Sequence, residues 1–217
     1  MEPKLYKPEK HNVAGWYMSE NLSGIHCFWD GGISRGILLK NIPWIQSTKF
    51  MRGDIISTGL WSDELDSIPV QDYWLNMLPS IPLDGIIYKS DLLYFAITGS
   101  PNFREIFKTG PVIGSTCSVF SSRKILKWIK QKQREKLPHL MWVDDEMTFE
   151  EELHFLDKIL DSYGSNTYLL CQRKLPLENA QQALEIELRK STRGLILRDP
   201  TSKWTSFESD KFLMIRK

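Results

Sequence analysis

The chain lacks most of the features that would assign it to a class at once. No apolar run approaches the roughly 20 residues that a membrane-spanning helix needs, so no membrane partner is expected. The opening residues, MEPKLYKPEKHN, are polar and proline-bearing and hold no signal-peptide core. Cysteine is scarce: Cys27, Cys117 and Cys171 are widely spaced, form no metal pattern, and by their odd number cannot make a full disulfide set. A reducing, intracellular, cytoplasmic setting is the simplest reading. His11, His26, His139 and His154 complete no metal site at a recognisable spacing, so no structural metal is expected. There is no internal repeat and no low-complexity stretch. There is also no excess charge of either sign, with 28 Lys and Arg against 27 Asp and Glu. A net charge of +1 neither points to nucleic acid nor excludes it, because a basic face can hide inside a neutral total.

What is present reads as an ordinary folded protein. A chain of 217 residues can bury a sizeable core and suits one domain, or two small ones. Gly and Pro punctuate short apolar runs, which indicates many short strands. Leu83–Tyr88, Leu92–Ile97, Val112–Phe120, Thr167–Cys171 and Gly194–Leu197 are the strand candidates, rich in β-branched and aromatic residues. Three helices are expected. One begins near Ser122 and turns Ile125, Leu126 and Ile129 inward. Another follows a capping box, Thr148 with Glu151, and carries Phe149, Leu153, Leu156, Leu160 and Tyr163 at helical spacing up to Gly164. The third spans Glu178–Lys190. Strands and helices in this irregular order imply an α+β fold, not a strict βαβ alternation.

The helix near Ser122 is basic, with Arg123, Lys124, Lys127, Lys130, Lys132, Arg134 and Lys136, and an acidic stretch, Asp144 to Glu152, follows it. This pattern is either a face that tracks phosphates or a solvated helix beside an acidic neighbour.

Six short motifs occur in a telling order. They are Glu20-Asn21-Leu22-Ser23-Gly24-Ile25-His26 running to Trp29-Asp30-Gly31, then Gly59-Leu60-Trp61-Ser62-Asp63-Glu64, then Leu78-Pro79-Ser80-Ile81-Pro82-Leu83-Asp84-Gly85-Ile86. Ser118-Val119-Phe120-Ser121, Arg193-Gly194-Leu195-Ile196-Leu197-Arg198-Asp199-Pro200 and Phe212-Leu213-Met214-Ile215-Arg216 complete the set. Together they resemble the adenylation (nucleotidyltransferase) domain of ATP-dependent DNA ligases of the bacterial and phage type, with patterns SEKLDGxRxxWDG, GLWSRYG, LPxIPLDGELW, VFD, EGLMLRxP and LLKVK. The resemblance covers most of the chain. It implies an ATP-grasp-like fold of two antiparallel sheets flanked by helices. It also implies that residues 1–217 form one adenylation-type domain, without the OB-fold domain that usually follows in the family.

The matches fall on Gly, Pro, Trp and apolar positions, which set turns and packing. The departures fall on the chemistry. Asn21 stands where the family has the lysine whose amine takes AMP from ATP. Ser23 replaces an aspartate, His26 an arginine, and Asp63 another arginine. Ile86 and Arg193 stand where the family has carboxylates for metal and ribose. Ser121 replaces an aspartate beside Phe120, whose counterpart stacks on adenine, although Phe120 equally suits a core position. Met214 replaces the first of two phosphate-contacting lysines, and Arg216 stands in for the second. Arg198 and Arg216 suit either phosphate contact or internal salt bridges.

The resemblance therefore implies a catalytically degenerate ligase-like protein with no catalytic residue and no cofactor. ATP and Mg are expected only if a relocated nucleophile, such as Lys40, Lys49 or Lys89, keeps it an active nucleotidyltransferase. Two non-enzymatic roles compete. One is a structural subunit of a larger assembly, anchored to a protein partner by aromatics such as Trp44, Trp61, Trp142 or Trp204. The other is nucleic-acid binding through Arg35, Lys40, Lys49, Arg52, Arg123 and Lys127.

Overall fold

The computed structural model describes residues 3–45, 55–90, 92–101, 119–136, 147–160, 167–203 and 209–217; in the 119–136 helix, side chains are described for 125–135. The expected strand over Val112–Phe120 falls largely outside these residues, and its last two positions are helical instead.

The fold is mixed, with two five-stranded sheets and four α-helices among the described residues. In chain order the strands are β1 (Pro3–Leu5), β2 (Tyr17–Glu20), β3 (Ile25–Asp30), β4 (Leu60–Ser62), β5 (Pro82–Lys89), β6 (Leu93–Gly99), β7 (Thr167–Leu169), β8 (Arg173–Lys174), β9 (Gly194–Arg198) and β10 (Ser209–Arg216). The helices are α1 (Asp72–Leu75), α2 (Val119–Lys136), α3 (Phe149–Leu160) and α4 (Ala180–Lys190). The chain divides into two compact units. One comprises Met1–Gly24, Val143–Asp161 and Leu169–Lys217, the other Ile25–Trp142 and Ser162–Tyr168.

In the first unit the strands lie in the order β1-β10-β9-β2-β8. Pairing is antiparallel except that β1 runs parallel to β10, a departure from the expected all-antiparallel sheet. Alternate residues of β9 and β10 place Leu195, Leu197 and Leu213 on the buried side, where Met18 of β2 and Leu184 of α4 meet them. Helix α3 starts as its capping box dictates. The Thr148 amide donates to Glu151 Oε2 at 2.8 Å and the Glu151 amide donates to Thr148 Oγ1 at 3.4 Å. The amides of Phe149 and Glu150 donate to the carbonyls of Ser202 and Pro200, which fixes the start of α3 to the loop after β9.

In the second unit the order is β4-β3-β5-β6-β7. Its core joins Phe28 and Trp61 to Ile33, Ile42 and Trp44 from the intervening loop, and to Ile125 and Ile129 of α2. Trp44 and Trp61 are 5% and 0% exposed, so they are core side chains and not partner anchors. Trp142 and Trp204, the other two suggested anchors, lie outside the described residues. The Asp30 carboxylate sits inside this core. It accepts bonds from the Trp61 indole at 2.9 Å, the Gly32 amide at 2.9 Å and the Ser34 hydroxyl. Burial pushes its pKa up to about 6, and those three donors hold it from rising further.

One backbone position in the first unit is unusually tight. Gly194 has φ +101°, and a Cβ there would lie 1.9 Å from the carbonyl oxygen of Ile215 on the paired strand β10. Gly194→Ala is therefore expected to destabilise the protein by more than about 2 kcal/mol in urea unfolding. Gly36→Ala, at φ +79° with open space around it, is expected to lose only about 1 kcal/mol.

Candidate functional site

The residues singled out by sequence fall into two groups, one in each unit. In the first unit, Asn21 follows directly on β2 and is half-buried. Its backbone amide donates to the Gly194 carbonyl at 3.1 Å. Its side-chain Nδ2 donates weakly to the Arg193 carbonyl at 3.4 Å and to the Met214 sulfur at 3.7 Å. Gly194 is in turn held by Ser191, whose hydroxyl accepts from its amide at 2.9 Å and donates to its carbonyl at 2.7 Å. Three positions distant in sequence, 21, 193 and 214, thus meet as a side-chain amide, a main-chain carbonyl and a thioether. None of these groups is an amine, and an amide nitrogen delocalises its lone pair into its carbonyl. Glu20, Ser23, Arg193 and Arg216 are exposed in the same unit.

In the second unit His26 and Asp63, both singled out by sequence, meet each other and Asp84. His26 lies on β3 opposite Ile86 of β5, and Asp84, two residues before Ile86, shares its face. His26 Nδ1 lies 2.6 Å from Asp63 Oδ1, and Nε2 lies 2.8 Å from Asp84 Oδ1. Burial by itself lowers the pKa of this imidazole. The charge of Asp84 and the hydrogen bonds to both carboxylates outweigh it and hold His26 at about 10, above the ordinary 6.5. The ring is therefore an imidazolium at neutral pH, with both nitrogens donating.

Two consequences follow for chemistry. Neither ring nitrogen keeps a lone pair for a metal, and the two carboxylates sit on opposite nitrogens and do not converge on one point. Among the described residues no group of three His, Cys, Asp or Glu side chains is arranged to hold a metal ion. The trio of one cation and two anions also carries net negative charge, which opposes a phosphate. Next to it, burial pushes the Cys27 thiol far up, so that sulfur is not a thiolate.

The candidate nucleic-acid contacts divide. Arg35 donates to Asn76 Oδ1 at 2.7 Å and pairs with Asp72 Oδ1 at 3.0 Å, so its guanidinium is committed within the unit. Lys40 is exposed on a single 3-10 turn, Leu39–Asn41, and Lys89 is exposed at the end of β5. Lys127 is exposed on α2. Arg123 and Phe120 belong to α2 by backbone, but their side chains, like Lys49 and Arg52, lie outside the described residues. Arg198 is turned inward. Its guanidinium carbon sits 4.0 Å from the centre of the Phe149 ring, and one terminal nitrogen lies 3.8 Å from Glu152, with both charged side chains buried.

Sequence reasoning missed two sets of residues. Asp84 matched the family pattern and drew no attention as a His26 partner. The cluster of Tyr17, Glu150 and Lys174 was not anticipated either. Tyr17 Oη donates to Glu150 Oε1 at 2.7 Å, and Lys174 Nζ reaches the same oxygen at 2.6 Å. Those bonds hold the Glu150 carboxyl below its usual range.

No family model matches the chain, and no curated protein matches it in sequence. Among solved structures it is similar to a Lig E DNA ligase from a study of DNA binding with a minimal scaffold. That alignment has a TM-score of 0.58 at 15% identity and covers 100% of this chain and 67% of the other. The chain therefore has a DNA-ligase-like fold.

The His26 trio carries a pH signature. A histidine pKa raised on folding stabilises the folded state fully below about pH 6.5, and that contribution disappears as pH rises through about 10. Stability measured by urea unfolding is expected to fall by roughly 2–3 kcal/mol across this window, discounted for the solvent exposure of Asp63. His26→Gln should flatten that slope; an unchanged slope would show that another group carries it.

Proposed function

We propose that this chain is a non-catalytic, ligase-like protein: an ATP-grasp-type nucleotidyltransferase scaffold that serves a larger assembly by binding and does not transfer AMP. The observation that carries this reading is the setting of position 21. Adenylyl transfer begins with attack of an amine lone pair on the α-phosphate of ATP. The Asn21 amide has no such pair to offer, and its nitrogen instead donates to the Arg193 carbonyl and the Met214 sulfur.

The surrounding residues support the same reading. Positioning and electrostatics supply most of the acceleration in phosphoryl-type transfer, usually through a divalent ion and cations around the phosphates. Ile86 offers no oxygen ligand, and Arg193 would repel a metal ion. The imidazolium of His26 is neutralised by Asp63 and Asp84, so it is not available to a phosphate. The residues present do not fit Mg-ATP. The Lig E neighbour concerns DNA binding, which a ligase-like fold can retain without its chemistry; this favours nucleic acid over protein as the partner.

Incubation with ATP and magnesium, followed by intact-mass spectrometry, is expected to show no adduct of one AMP. The Asn21→Lys variant is expected to seal no nicked DNA, because one amine does not restore the carboxylates and cations. An AMP adduct on the wild-type chain, or micromolar Mg-ATP affinity by calorimetry, would overturn the proposal.

A further inference from the structure

The thioether of Met214 has a setting that the other described methionines lack. Met214 of β10, Ile196 of β9 and Ser19 of β2 lie abreast in register, so they share one face of the first unit's sheet. Asn21, two residues beyond Ser19, falls on the same face, and its amide to the Gly194 carbonyl continues the ladder past the end of β2. Its side-chain Nδ2 lies 3.7 Å from Met214 Sδ. The opposite face, with Met18, Leu195, Leu197 and Leu213, is closed into the core.

Met18 is 5% exposed and out of reach of solvent. Met77, Met147 and Met214 are all half-buried, and among these only the Met214 sulfur accepts a hydrogen bond. Met1, Met51 and Met141 lie outside the described residues.

A thioether is a weak acceptor, and a side-chain amide is a strong donor for so poor a partner. The separation suits a better one. An S–O bond of about 1.5 Å followed by an N–H···O contact of about 2.9 Å, meeting at about 110°, spans about 3.7 Å from sulfur to nitrogen. A sulfoxide oxygen on Met214 therefore fits beside the line from sulfur to Asn21 Nδ2 without displacement of either group. The second hydrogen of that amide keeps its contact with the Arg193 carbonyl at 3.4 Å.

We propose that Met214 is a reversible oxidation site, with Asn21 as the positioning residue that receives the sulfoxide. A sulfur lone pair attacks one oxygen of a peroxide. The S–O bond forms, the O–O bond breaks, and with a proton shift between the two oxygens the other leaves as water or alcohol. Sulfur loses two electrons and the peroxide gains them. In the return step two thiols become a disulfide and the oxygen leaves as water. Negative charge develops on the transferred oxygen, and the Asn21 amide is already placed to meet it. Sulfoxide sulfur is stereogenic, and a donor on one side selects one of the two epimers. Oxidation converts a weak acceptor into a strong polar one at the end of β2. This inference goes beyond the loss of AMP transfer and does not depend on it.

The test is limited treatment of the full chain with hydrogen peroxide, followed by digestion and mass spectrometry of the peptides, each sulfoxide adding about 16 Da. Epimers of the Met214 peptide are separated by chromatography. One hydrogen bond is worth about a fivefold preference, so Met214 is expected to oxidise about five times faster than Met77 and Met147 and to give one epimer in about fivefold excess. Cys171, the exposed thiol, reports on its own peptide. Asn21→Asp fills the same space without the donor hydrogens; it is expected to bring Met214 to the rate of Met77 and Met147 and its epimers to near equality. Circular dichroism establishes that the variant is folded. The two methionine sulfoxide reductases, each specific for one epimer, are expected to differ in how fully they restore the wild-type mass. Oxidation of Met214 no faster than Met77 and Met147 would overturn the proposal, as would wild-type rate and epimer ratio in a folded Asn21→Asp chain. An equal mixture of epimers in the wild-type chain overturns it without recourse to any variant. An AMP adduct is read at a different mass, so failure of either proposal leaves the other standing.

Discussion

The bond from the Trp61 indole to the buried carboxylate of Asp30 organises the whole second unit. A carboxylate removed from water destabilises a fold unless it is met by donors, and Trp61, Gly32 and Ser34 converge on this one. In doing so they fix the turn after β3 against β4. Trp61 then stacks edge to face on Trp44 at 5.1 Å, and Trp44 on Trp128 of α2 at 5.5 Å. Each such aromatic pair contributes about 1 kcal/mol beyond its burial. A polar bond in the core is thus linked through three indoles to the helix whose outer face carries the charge.

This arrangement separates what the fold requires from what chemistry would require. The positions that match the ligase pattern are the ones that set turns and packing: Trp29 and Trp61 are buried and both indole nitrogens are bonded, while Gly194 occupies a space no other residue fits. Among the positions that depart from it, Asn21, His26 and Asp63 are polar groups satisfied by their neighbours. Asn21 turns to a carbonyl and a sulfur, and His26 to two carboxylates. Buried or half-buried polar groups must be paired in any stable fold. The His26 trio meets that demand internally.

The legibility of these features in the sequence follows from their range. Helix α3 was readable because a capping box and a heptad-like apolar stripe are both local, and β5 and β9 because short apolar segments beside Gly and Pro stand out. Strands β1 and β8, three and two residues long, are too short to show a period; their partners define them. Trp44 and Trp61 resembled surface anchors because composition says nothing about which side of a turn faces inward. The His26–Asp63 contact joins residues 37 apart, so the sequence showed only two separate departures from the resembled pattern. The signal that could have linked them was their opposite charge at two positions where that pattern has arginine.

That pairing also makes the two positions unequal in what they tolerate. Arginine at position 63 would bring its guanidinium against an imidazolium and remove one of the two carboxylates that keep it charged. Arginine at position 26 would instead find its place lined by Asp63 and Asp84 and would pair with both. A cation is accommodated at one end of this contact and expelled from the other, so the trio gives the contact a fixed polarity.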